Sequence, residues 1–115
     1  MINEVSAITK TYDLIMWSIP HITKFPRSHR FVLGELIERN LYSILEDLID
    51  AKYSKEKLLI LRKTNIKLEK LRYQIRIAKD FKILPLNSYE FAAKSILDIG
   101  KEIGGWIKQQ SIKIK

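Results

Sequence analysis

The chain contains no cysteine, which excludes disulfides, thiolate zinc sites and cysteine nucleophiles. Histidine is nearly absent too, with only His21 and His29. Neither follows a glutamate by three positions, so the Glu-x-x-His pairs that build di-metal centres inside helical bundles are missing. Ser28 and His29 are adjacent, but adjacency alone does not give nucleophile–base geometry. No metal, cofactor or catalytic site is expected. No stretch approaches the ~18 apolar residues of a membrane span. The N-terminal MINEVSAITKTYD has neither the basic segment nor the long apolar stretch of a secretion signal. The expectation is a soluble cytoplasmic protein. Three prolines and four glycines in 115 residues leave long segments without a breaker.

What is present points to helix. Apolar residues make up 46% of the sequence, and leucine, isoleucine, lysine and glutamate dominate. The length suits a single domain over residues 1–115. The apolar spacing predicts four amphipathic segments. The first covers about 9–24, with Ile8, Tyr12, Ile15, Ile19 and Ile22 as its seam and Pro20 expected to kink or end it. The second covers about 28–53, with Leu33, Ile37, Ile44, Leu48 and Ala51 as its seam. Asn40 interrupts that seam, and Leu41, Leu45 and Ile49 form a second row beside it. The third covers about 54–82, with Ser54 as N-cap, Leu61, Leu68, Leu71, Ile75 and Ala78 as its seam, and Pro85 as its stop. The fourth covers about 88–110. Asn87-Ser88-Tyr89-Glu90 reads as a capping box, and Ala92, Ile96, Ile99, Ile103 and Trp106 follow at bundle spacing. Gly104-Gly105 is expected to weaken its last turns and residues 111–115 to fray. Short connections make neighbours antiparallel, so the fold class is all-α, an up-down-up-down four-helix bundle.

The net charge of +8 is unevenly placed. Residues 54–82 carry ten basic and three acidic groups, while residues 1–53 are close to neutral. In heptad register with Leu61, Leu68 and Ile75, the side chains of Arg62, Lys63, Lys67, Lys70, Arg72, Arg76 and Lys79 project from outer and flanking positions. Seven cations along ~25 Å of helix can neutralise several phosphates of a nucleic acid, with arginine matching phosphate through its planar donor fork. Nothing in the pattern reads base edges. A solvated face that is merely basic has the same composition, and the sequence leaves both readings open. The KFPRSHRF stretch is read in the same two ways. Pro26 and Ser28 open a helix, and Arg27 and Arg30 are secondary candidates for the same polyanion.

The outer face of the third helix is also apolar. Leu59, Ile66 and Tyr73 recur every seven residues, and Ile77 extends the row. An exposed apolar row marks an interface, here one between copies of the chain. Tyr73, between Arg72 and Arg76, has a second reading as a stacking platform for a base.

Three segments carry a resemblance to a known family: residues 11–55 with KFPRSHRF and Leu33-Gly34, residues 68–84 with LEKLRY, and residues 89–108 with Gly104-Gly105-Trp106. Across about residues 10–110 the chain resembles the accessory variability determinant proteins of diversity-generating retroelements. These belong with the four-helix-bundle proteins once linked to intervening sequences of ribosomal RNA genes. The resemblance implies a non-catalytic partner of a reverse transcriptase, assembled as a homopentameric barrel. Such a protein binds template RNA or cDNA and supports mutagenic cDNA synthesis and retrohoming. The alternative is a structural or protein-binding bundle of the same group that has no reverse-transcriptase partner.

Overall fold

A computed structural model describes residues 4–114 of the chain. It contains α1 (Glu4–Thr23), α2 (Arg27–His29), a π-helical turn (Arg30–Gly34), α3 (Glu35–Tyr53), α4 (Lys57–Asp80) and α5 (Leu86–Ile114). α2, the π turn and α3 follow one another without a break, so four rods form the bundle. The molecule measures 49 × 22 × 19 Å. α3 packs on α4, α4 on α5, and α1 on both α3 and α5, the antiparallel square expected of short loops.

One core runs the length of the square. The seams read for the second, third and fourth segments are all buried, Ile37, Ile44, Leu48, Leu61, Ala78, Ile99, Ile103 and Trp106 completely so. Each such leucine or isoleucine contributes about 1.5–3 kcal/mol over leaving it in water. Leu41 joins this core at 1% exposure, while Ile49 of the same expected row points outward at 42%.

The seam of α1 differs from expectation. Its buried face is Ala7, Thr11, Leu14, Ile15, Ser18 and Ile22, and Tyr12 is 53% exposed. The seam passes through small and polar positions, which an apolar pattern skips. Burial of Thr11 is possible because its hydroxyl donates to the Ala7 carbonyl, leaving no polar group unpaired. Pro20 does not end α1, which runs on to Thr23.

The helix ends also depart from the sequence reading. Ser54 does not cap α4. Its Oγ accepts the Glu56 N–H, and the helix starts at Lys57. Lys57 Nζ instead donates to the Ala51 and Lys52 carbonyls at 2.8 and 2.7 Å, satisfying orphan acceptors at the end of α3. α4 stops at Asp80, well before Pro85, because Lys82 turns left-handed at φ 61°. The Lys82 and Ile83 N–H groups then close on the Lys79 and Ala78 carbonyls, the two bonds of a Schellman motif. The capping box at Asn87 does not form. The first N–H to bond back, that of Tyr89, reaches the Pro85 carbonyl, and Asn87 Oδ1 accepts only from Ser88. Ser111 to Ile114, expected to fray, continue α5; Lys115 lies outside the described residues.

The π turn packs against α1. Gly34 is buried against α1, and a Cβ there would stand 2.9 Å from Ile22 Cγ2. The Glu35 N–H reaches back to the Arg30 carbonyl, one residue beyond α-helical spacing. This wider turn leaves Phe31 and Val32 exposed while Leu33 and Gly34 pack inward.

Candidate nucleic-acid and assembly interface

The α4 seam turns inward, so its remaining residues face solvent or the flanking helices. Positions in line with Lys67 and Gln74 face α3. Positions in line with Asn65 and Arg72 face α5. The row Leu59, Ile66 and Tyr73 lies opposite the core, each residue about 60% exposed, with Ile77 at 43% beside it.

The seven expected cations do not behave alike. Arg62, Lys63 and Lys70 are exposed and, among the described residues, form no ion pair. Arg72 is exposed but held by Glu69 at 2.8 Å. Arg76 lies 3.7 Å from Asp80. Lys79 is half-buried, 3.3 Å from Asp80 and over the Tyr89 ring at 4.8 Å. Lys67 stands apart from the others. Its position predicts an outer flank, but its Nζ turns toward α3 and lies 2.7 Å from both the Asp47 carboxylate and Ser43 Oγ. Thr64 Oγ1 lies 3.3 Å from the same carboxylate and 2.8 Å from the Ile60 carbonyl, the nearer acceptor for its single proton. Lys67 is therefore a structural cation.

Asn40, the break in the α3 seam, is the other polar tie across this contact. Its Nδ2 donates to the Lys67 carbonyl at 2.9 Å and to Gln74 Oε1 at 3.3 Å. The sequence signals an interruption there but not its partner on α4.

Arg27 and Arg30 sit at the end of the bundle where α4 finishes, since the His29 ring lies 6.1 Å from that of Phe81. Arg27 is exposed. Arg30 is less available, donating to the Thr23 carbonyl at 3.2 Å and lying over the Phe31 ring. The histidines have structural company. His21 stacks on Trp17 at 3.8 Å, and its Nδ1 is 2.7 Å from the Trp17 carbonyl. Among the described residues no three histidine, aspartate or glutamate side chains gather as a metal site.

Periodicity gives no sign of the groove between α4 and α5. Three adjoining depressions, of about 440, 310 and 130 Å³, all have Arg72 in their walls. Leu97, 54% exposed, lines the two larger ones. Ile66 and Tyr73 of the outer row line the first and third. Among the described residues no helix is long and apolar enough to cross a membrane.

Comparison with the curated proteins and with the solved structures found no significant match. A family model described as bAvd-like matches residues 6–110, which includes the basic face, the outer row and the groove. The chain thus belongs to the bAvd-like family, non-catalytic accessory proteins of diversity-generating retroelements.

Proposed function

We propose that this accessory role is exercised by binding RNA and a reverse transcriptase together. The chain is a cytoplasmic homo-oligomer, pentameric by resemblance, that holds template RNA or its cDNA beside the polymerase during mutagenic cDNA synthesis and retrohoming. The observation that carries the reading is the solvent-facing set Arg62, Lys63 and Lys70, which has no carboxylate partner among the described residues. Arg76, Arg72, Lys79 and Arg27 extend the positive field around it. Such a face attracts phosphate with strong salt dependence and little sequence preference. Leu59, Ile66, Tyr73 and Ile77 supply apolar contact between copies.

A structural bundle with incidental basicity is the competing reading, favoured by Lys67, which is bound to Asp47 rather than free. Co-purification separates the two. Tagged chain expressed with a reverse transcriptase of a diversity-generating retroelement and its template RNA should retain both. Charge reversal at Arg62, Lys63 and Lys70 should release the RNA while circular dichroism stays helical. Retention of RNA at the wild-type level by that variant contradicts the surface assigned here.

A further inference from the structure

We propose that the groove between α4 and α5 receives the outer face of α3 from a second copy of the chain. This rests on the oligomeric reading above and names the two faces that meet.

The groove has an apolar floor of Leu68, Ile75 and Ile96. Gly100 of α5 keeps it open, since a Cβ there would already touch Leu68 Cδ2 at 3.4 Å. Its walls carry Arg72, Arg76, Lys94 and Lys101 against one carboxylate, Glu69. A channel between two helices, apolar below and basic above, suits an amphipathic helix with acidic flanks.

α3 presents that chemistry. Glu35, Arg39, Tyr42, Glu46, Ile49 and Tyr53 follow one another at alternating spacings of four and three, a coiled-coil seam turned outward. Tyr42, Ile49 and Tyr53 are 44%, 42% and 78% exposed. Glu46 and Asp50 flank them, and among the described residues neither forms an ion pair. α3 carries five acidic and two basic side chains. Like faces do not suit each other. Groove on groove sets Arg72, Lys94 and Lys101 against their copies, and α3 on α3 opposes Glu46 and Asp50. Only the crossed pairing is complementary in charge. It joins different faces, so it is heterologous and propagates into a ring or a filament. It covers Ile66 and Tyr73 and leaves Lys63 and Lys70, which lie on the α3 side of that row, uncovered.

The experiment is light scattering at micromolar concentration with two variants of the full chain. One is Lys94→Glu with Lys101→Glu; the other is Glu46→Lys with Asp50→Lys. Each alone should fall to the 13.5 kDa mass of one chain while remaining helical. Mixed, they should assemble beyond one chain by alternation, because the unaltered α3 face of the first fits the unaltered groove of the second and the reversed α3 face of the second fits the reversed groove of the first. All four substitutions in one chain should restore the wild-type mass. Either double variant keeping the wild-type mass, or a mixture that stays monomeric, overturns the pairing and leaves the oligomeric reading standing. A wild-type chain that is itself monomeric overturns both and leaves the groove to a partner of another sequence.

Discussion

Lys67 Nζ stands 2.7 Å from the Asp47 carboxylate, turning a basic side chain of α4 toward α3 rather than toward solvent. Both groups are largely shielded, and Ser43 Oγ accepts a second hydrogen bond from Lys67. Removing one partner leaves the other charge half-buried and alone. Lys67→Met should lower stability to urea by about 1–3 kcal/mol. Lys63→Met, on an exposed and unpaired neighbour, should stay within about 0.5 kcal/mol. Equal midpoints for the two variants would contradict the distinction between structural and free cations.

Gly34 and Gly104 offer a test of packing at fixed chemistry. Alanine improves intrinsic helix propensity at both by roughly 1 kcal/mol. At Gly104 nothing lies within 4 Å of a new Cβ, so Gly104→Ala should raise the melting temperature. At Gly34 the new Cβ meets the branched Ile22 side chain at 2.9 Å, and isoleucine is stiff about χ1. Overpacking of this kind costs about 1–3 kcal/mol, so Gly34→Ala should lower the melting temperature despite the propensity gain. A rise in both would remove the close approach to α1 as the reason for glycine in the π turn.

The α1–α5 packing has an acid limit. Lys10 Nζ donates to Glu102 Oε1 at 2.8 Å, and Ser6 donates to the same oxygen. The hydrogen bond from Lys10 holds the Glu102 carboxyl below its ordinary value, and the reciprocal bond raises Lys10 above the ordinary lysine range. A lowered carboxyl stabilises the fold above its ordinary pKa and loses that contribution as pH falls through the folded value. A raised lysine stabilises below its ordinary pKa and loses the contribution as pH rises through the folded value. Wild type should therefore exceed Glu102→Gln in melting temperature across neutral pH, and the gap should shrink as pH falls below the ordinary glutamate range and close below the lowered folded value. A gap that persists unchanged into acid contradicts a charge-based tie.

The core of three helices is plain in the sequence, because Ile37, Ile44, Leu61, Leu68, Ile96 and Ile103 are large aliphatics at bundle spacing. The seam of α1 is hidden by its small polar members, Thr11 and Ser18, where burial depends on helix proximity rather than hydropathy. Local stops are the least legible. Lys82 adopts a positive φ usually left to glycine, and Ser54 and Asn87 resemble caps but bond to loop or first-turn N–H groups. For the candidate surface, composition locates the basic helix but not which cations are free. That depends on Asp47, Ser43 and Asp80, placed by tertiary packing and by the end of α4. The groove arises where two helices meet, and no single helix's periodicity contains it.

Counterion release reports whether Arg62, Lys63 and Lys70 meet phosphate. The affinity of the full chain for single-stranded RNA should be measured over a range of salt concentrations for wild type and for Arg62→Gln/Lys63→Gln/Lys70→Gln. Each cation withdrawn from a phosphate reduces the steepness of log affinity against log salt by about 0.7, so the variant's slope should be shallower by about 2. Parallel lines, with or without a change in affinity, would mean that these three side chains do not meet phosphate.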